Sequence, residues 1–498
     1  MTETNDNQPI INQTHSGSGD NVAGNKVVNN YYPQPETTER TGRVNNLAGR
    51  GIDDPRRFVG RGDELRILAE KLGAASVVAI TGLVGMGGVG KSELAVQFAK
   101  QFGTAERFPG GVVWLSGSQF LLDLVGVAQG AFLTVADMER LGKLETEGQK
   151  ARFCWDRWPA GDVLVVVDDV VEFKAGIKPL LPPDKRFRVL LTTRNRKLLA
   201  KSNCVFLDVL DLEKALALLT VWVGAERLGR ERDLAVELVE RLGRLPLAID
   251  LVGAYLQEDE DLSLARLLVG LEEKGLKATA LTEVTEDVQA ERGVAAAFEL
   301  SWERLSAGAQ RLAVLLGCFG LAPVPWDLVQ QCLPEEDGEQ LDHWRTRELQ
   351  RLSLFERQGE GLYGLHPLIW QFFGEKRARF QDGEALQQRF LNTLVAIAKT
   401  VPQVPTLSDQ NRTRAAVPHL EHATEFTDQI AAEDSEYTWP FTALARLAQS
   451  QSLWQQAVQY RQNALKTTET RQGANHPDTA TSLNNLAELY WFQGRYEK

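Results

Sequence analysis

Cysteine and methionine are scarce, at 4 and 3 among 498 residues. Cys154, Cys204, Cys318 and Cys332 lie far apart, so no pair has metal-site spacing and the count is too low for a disulfide framework. That usage fits a reducing, cytoplasmic compartment. No apolar run reaches the roughly 18–20 residues of a membrane span, which excludes a transmembrane helix. Met1 to Asn30 is polar and Asn-rich, unlike a signal peptide. The six histidines are scattered. His419 and His422 stand three apart with no third ligand in view, which reads as a solvated helix face rather than a metal site. No Ser/His/Asp or Cys/His set has a supporting context.

Positive charge is also in short supply, with 55 Lys+Arg against 67 Asp+Glu and a net charge of −12. The deficit is local. Residues 58–205 carry 20 basic and 16 acidic side chains, whereas residues 206–375 carry 16 and 31. An acidic surface repels phosphate backbones, which argues against nucleic acid as a partner.

What is present divides the chain. Residues 1–57 are rich in Asn, Gly and Thr, and read as a disordered N-terminal segment and linker. Within them, Gly17 to Tyr32 alternates short β-capable clusters with Gly and Asn, and reads either as a flexible tail or as a self-templating segment. From Phe58, apolar runs at 76–81, 111–115, 163–167 and 189–193 alternate with helical stretches at 65–72 and 92–102. That alternation predicts a parallel α/β sheet over 58–205. Helical spacing then dominates, with helices expected at 212–223, 233–242 and 246–257 in a helical subdomain, 206–294. Residues 295–375 hold helices at 295–303 and 307–316, a helix at 349–358 and a hairpin at 361–365. A helical connector, 376–440, precedes a repeat. Residues 442–456 align with 484–498 at an offset of 42, matching Leu444 with Leu486, Ala445 with Ala487, Leu447 with Leu489 and Trp454 with Tyr496. The reading is a helical-hairpin array over 441–498, cut within a unit.

One segment carries explicit chemistry. Gly85-Met-Gly87-Gly88-Val-Gly90-Lys91-Ser92 fits the phosphate-loop pattern, with a strand before it and a helix after. Its glycines let backbone N–H groups curl round phosphates, and the helix N-terminus favours their charge. Lys91 is expected to reach the β and γ phosphates, and Ser92 to ligate Mg²⁺. The apolar strand ending in Asp168-Asp169 supplies one carboxylate for the metal and a second to orient an attacking water. Arg194 ends another strand, where its guanidinium can sense the γ phosphate.

This motif series resembles the NB-ARC signal-transduction ATPases, shared by plant resistance proteins, the animal apoptosome scaffold and bacterial regulators. Phe58-Val59-Gly60-Arg61 resembles that family's entry motif, which implies that Val59, Gly60 and Arg61 lie near the nucleotide. Gly243-Arg-Leu-Pro246-Leu-Ala248 resembles the motif whose proline packs on the bound nucleotide. Residues 297–305 resemble the opening of the winged-helix subdomain, and Leu365-His366-Pro367 stands where the family has Met-His-Asp, so His366 is expected at the β phosphate of ADP. The tail resembles tetratricopeptide repeats of the kinesin-light-chain kind, carried by 473–480, Leu486-Ala487 and Gly494-Arg495-Tyr496.

The resemblance implies an α/β P-loop NTPase domain followed by helical and winged-helix subdomains and an α-solenoid. It implies a slow ATPase serving as a switch between ADP and ATP, with Mg²⁺ as cofactor. A trigger would bind the repeats, and the opened molecules would form a homo-oligomer acting on an unknown effector, in bacterial immune or stress signalling. Three alternatives are a transcription regulator using the winged helix, an ATP-driven remodelling motor and a nucleotide-binding scaffold without turnover.

Overall fold

The computed structural model describes residues 42–52, 54–82, 88–195, 197–278, 288–429 and 435–492. Gly17–Tyr32, Gly85, Gly87 and the last residues of the repeat, Tyr496 among them, lie outside the described residues.

Six strands form one wholly parallel sheet: β1 (Val44–Asn45), β2 (Val77–Gly82), β3 (Gly111–Ser116), β4 (Val163–Asp168), β5 (Phe187–Thr193) and β6 (Cys204–Leu207). Their order is β1-β3-β4-β5-β2-β6. β2 to β5 are buried along almost their whole length. Helices cover both faces of such a sheet, so its strands read as continuous apolar runs rather than as alternation. β5 is interposed between β2, which leads into the phosphate loop, and β4, which ends in the two carboxylates.

The expected linker over 1–57 needs correction from residue 44 onward. β1 pairs with β3, Val44 opposite Gly111, and Val44 and Leu47 are buried. Asn46 extends the pairing through its side chain. Its Nδ2 donates to the Trp114 carbonyl at 2.9 Å, and its Oδ1 accepts from the Trp114 N–H at 2.7 Å. The side-chain amide stands in for a strand residue. Two strand residues show no periodicity, so polar composition hid this edge. β6 was missed for the same reason of length.

Helices Leu212–Val223, Arg232–Arg241 and Pro246–Gln257 follow the sheet, and Ala307–Leu316 begins the next piece. A second sheet there has the order β7 (Val324–Pro325), β9 (Leu362–Gly364), β8 (Glu356–Gly359), all antiparallel. The helix expected at 349–358 is not present. A helical turn ends at Leu349, and the chain then enters β8. Ser353 takes a left-handed φ of 54°, which stops the helix. Buried Leu352, Leu354 and Phe355 form an apolar run too short to separate helix from strand by period.

The solvated face expected for His419 and His422 is also corrected. His419 is fully buried, its Nε2 3.1 Å from the Pro323 carbonyl, and its ring is edge-on to Phe319. His422 packs edge-on to Phe426 and Trp370. Both hold the connector helix Val417–Ala423 to the winged-helix piece. Among the described residues no group of three or more His, Cys, Asp or Glu side chains is placed to hold a metal, and all four cysteines are free and buried.

Three helices close the chain: Trp439–Ser450, Trp454–Gln472 and Pro477–Phe492. Buried Ala445, Ala448, Ala457 and Ala464 are the small residues that let them approach. The turn between the first two lands on the α/β domain. Trp454 Nε1 donates to the Gly142 carbonyl at 2.8 Å, Ser452 Oγ to that of Met138 at 3.3 Å, and the Lys150 ammonium to that of Ser452. Ala448, Leu453 and Ala457 share one buried cluster with Leu121, Leu124 and Leu141. Among the described residues no helix is long and apolar enough to cross a membrane.

Candidate functional site

The parallel sheet brings its loops to one edge, where α/β folds bind ligands. A cleft of about 1310 Å³ opens there. That exceeds the roughly 300–1,000 Å³ of ordinary small-molecule pockets. Its walls include Val59, Arg61, Gly88, Gly90, Lys91, Ser92, Asp168, Asp169, Arg194, Pro246 and His366. Thus residues separated by up to three hundred positions in sequence share one chamber.

Gly90 is left-handed at φ 92° and caps helix Lys91–Phe102, where an L-side chain would be strained. The Lys91 side chain makes no ion pair or hydrogen bond among the described residues. Burial lowers its pKa, as does the nearby Arg194. Ser92 Oγ donates to Asp168 Oδ1 at 2.8 Å. Thr192, at the end of β5, donates to the same oxygen at 2.5 Å and accepts from the Asp169 N–H at 2.8 Å. The interposed strand therefore supplies a hydroxyl that spans the gap between β2 and β4. Burial raises the Asp168 pKa, against the two hydroxyl hydrogen bonds that lower it. Asp169 is left-handed at φ 51°, which turns its carboxylate toward Arg194 at 3.6 Å.

His366 caps helix Pro367–Arg377, its Nδ1 accepting from the Leu368 N–H at 3.2 Å. That bond leaves the proton on Nε2, the nitrogen free to donate. The ring borders the cleft and is partly buried. Burial, with Lys91 and Arg194 beside it, lowers its pKa to about 4. Pro246 opens helix Pro246–Gln257, where its fixed φ suits the first turn. A Cβ on Gly88 would stand 3.3 Å from Leu247 Cβ and 3.8 Å from Leu368 Cδ1. Gly88 thus lies between the residue after Pro246 and one two beyond His366.

Arg61 is placed differently from the other charged groups. It is buried, with NH2 donating to the carbonyls of Asp208 at 2.7 Å and Val89 at 3.2 Å, and NH1 to Glu64 at 2.8 Å. It braces the loop from behind. Gly60 is left-handed at φ 72° and presses against Lys214, so only glycine fits. Sequence reading also missed Arg57. It pairs with Asp250 and with Glu356, both at 3.3 Å, and stacks 4.7 Å from the Trp222 ring. Those partners come from the helical and winged-helix pieces, and only the fold could have joined them.

A model of the NB-ARC domain matches residues 61–229, and one of the tetratricopeptide repeat matches 439–498. Residues 61–229 form an NB-ARC domain. The NB-ARC domain is a nucleotide-binding P-loop module, and here it carries a tetratricopeptide tail. The chain is 30% identical over 423 residues to the regulatory protein AfsR of Streptomyces coelicolor, covering 79% of this chain and 40% of that one. It is 26% identical over 251 residues to a probable disease resistance protein of Arabidopsis thaliana, covering 47% and 24%. The chain therefore spans less than half the length of these relatives. One solved structure is a signal transduction ATPase with a tetratricopeptide repeat sensor from Pyrococcus horikoshii. It has a TM-score of 0.48 and 16% identity, and covers 92% of this chain and 67% of that one.

The NB-ARC residues fit a nucleotide and a hard cation. Lys91 forms no ion pair among the described residues, although the charges of Asp168 and Asp169 act on it. The Ser92 hydroxyl and the Asp168 carboxylate converge as an oxygen pair of the kind that Mg²⁺ takes.

Proposed function

We propose that the chain is a nucleotide-operated signalling switch in which one ADP or ATP, with Mg²⁺, holds three pieces of the chain in one arrangement. The carrying observation is Gly88, enclosed by Leu247 and Leu368 while Lys91, Ser92, Pro246 and His366 share its cleft. Lys91 would neutralise the β and γ phosphates, and Ser92 with Asp168 would hold Mg²⁺, whose charge stabilises the phosphate oxygens. Val59 and Gly60 would border the base, and Pro246 would pack on the nucleotide. His366, neutral with its proton on Nε2, would donate to the β phosphate and favour ADP. Asp169 would orient water, and Arg194 would read the γ phosphate. Gly85 and Gly87 would complete the loop.

Ligands select between packings only by the difference in their affinities for them. A swing from 1:99 to 99:1 needs about 5.5 kcal/mol. In this reading the repeats bind a protein or peptide trigger. The trigger competes with the contact of Ser452 and Trp454 on the NB-ARC domain, and the freed molecules assemble into a homo-oligomer. Turnover is slow and resets the switch in the cytoplasm. The plant relatives named for disease resistance support a defence or stress role in a bacterium. The name of the AfsR relatives favours a second reading, regulation of transcription. Against direct DNA contact, residues 296–375 carry 6 basic and 12 acidic side chains.

The test is mass spectrometry of nucleotide released from purified protein, with particle size measured in ADP and ATP. Retained ADP and growth in ATP are expected. Protein free of nucleotide, unchanged in size by either, would sink the switch and leave a scaffold.

A further inference from the structure

The segment corrected from linker to fold ends in an arginine that no motif covers. Arg50 lines the nucleotide cleft. Its guanidinium carbon lies 5.1 Å from the centre of the Trp114 ring, on β3. Its one hydrogen bond from the side chain is weak, from Nε to the Asn46 carbonyl at 3.4 Å. It forms no ion pair among the described residues, although carboxylates are near. Burial disfavours its charge, and Asp168 and Asp123 are the groups whose charges favour it.

The position is held on purpose by its neighbours. The Arg50 N–H closes a turn onto the Leu47 carbonyl at 3.1 Å. Gly51 is left-handed at φ 79°, and a Cβ there would stand 2.5 Å from Val96, on the helix that follows the phosphate loop. The Ile52 N–H donates to both carboxylate oxygens of Glu93 on that same helix, at 3.2 Å each. Stacking on an indole occupies one face of a guanidinium and leaves its N–H edge free.

Sheet order says which part of a nucleotide that edge meets. β4 ends in Asp168 and is flanked by β3 on one side and β5 on the other. Arg194 follows β5, and Arg50 lies over β3. The strand on either side of β4 thus has an arginine beside it, and both arginines line the cleft that holds Asp168. We propose that Arg50 is a specificity-determining residue that binds the terminal phosphate from the β3 side and so separates nucleoside triphosphate from diphosphate. This rests on the nucleotide-switch reading. It assigns the task to Arg50 together with Arg194 rather than to Arg194 alone.

The experiment is titration calorimetry of the full chain, stripped of nucleotide, with ATP and with ADP, each with Mg²⁺. The proteins are wild type, Arg50→Ala, Arg50→Lys and Lys91→Ala. Arg50→Ala is expected to weaken ATP about ten-fold or more, the scale of a lost charge-assisted phosphate contact, and to change ADP less than about two-fold. Arg50→Lys, which keeps charge but not the fork, should recover part of the ATP affinity. Retained ADP binding shows that the variant is folded. Equal weakening of both nucleotides, or no weakening of either, overturns the assignment. Normal binding by Lys91→Ala instead removes the phosphate-loop reading itself, a separate failure.

Discussion

Lys91 and His366 state the chemistry of the cleft at the scale of single side chains. Among the described residues no anion pairs with Lys91, and a phosphate would supply its counterion. Lys91→Ala should therefore remove ATP binding in calorimetry; unchanged affinity would refute its assignment. His366, with a pKa near 4, stays neutral from pH 5 to pH 8. Its role as a donor should accordingly be independent of pH in that window, while His366→Ala weakens ADP relative to ATP. His419 gives a stability test of known sign. Its folded pKa is lowered to about 4 by burial, below the unfolded 6.5, so the unfolded state binds more protons as pH falls between these values. Stability should drop on acidification from pH 6.5 to pH 4, by on the order of 2–3 kcal/mol for this group. His419→Gln, which cannot titrate, should flatten that part of the profile in denaturant unfolding. Asp123, raised to about 6 by burial, acts in the opposite sense and is common to both proteins.

Elements were legible where they were long and periodic. The helices at 212–223, 246–257 and 307–316 have the bounds expected from their apolar spacing. The four central strands were visible because parallel strands buried on both faces are unbroken apolar runs. The phosphate loop was visible because four fixed residue types sit at fixed spacing. What escaped were features made by partners distant in sequence. β1 exists because Asn46 can offer one donor and one acceptor to Trp114, a match of geometry and not of hydrophobicity. Asn46→Ala would leave both Trp114 backbone groups short of a partner at the sheet edge. A loss of about 1–3 kcal/mol is expected, with faster amide exchange at Trp114. Unchanged exchange there would mean that the strand holds without its side-chain splice. His419 was misjudged because helical spacing on a short, weakly marked helix does not say which face meets protein.

Across the whole molecule, two of the contacts that tie the pieces together bear on the switch. One is Arg57 with Asp250 and Glu356, joining entry segment, helical piece and winged-helix hairpin. The other is the repeat turn on the NB-ARC domain. Trp454→Ala should loosen the second, through lost packing and the lost bond to Gly142. Sedimentation in ATP should then show larger particles without any trigger; a particle no larger than wild type would separate this contact from assembly.

The leucines over Gly88 bear on time as well as on affinity. In the proposed switch, a phosphate group held at this loop would leave past Leu247 and Leu368, and each is anchored on a different piece of the chain. Release would then be paced by the breathing of the protein rather than by the strength of its bonds to phosphate. Exchange in a stopped-flow trace should be slow and steeply temperature-dependent, and the lifetime of the bound nucleotide becomes an interval timer set by hydrophobic contact.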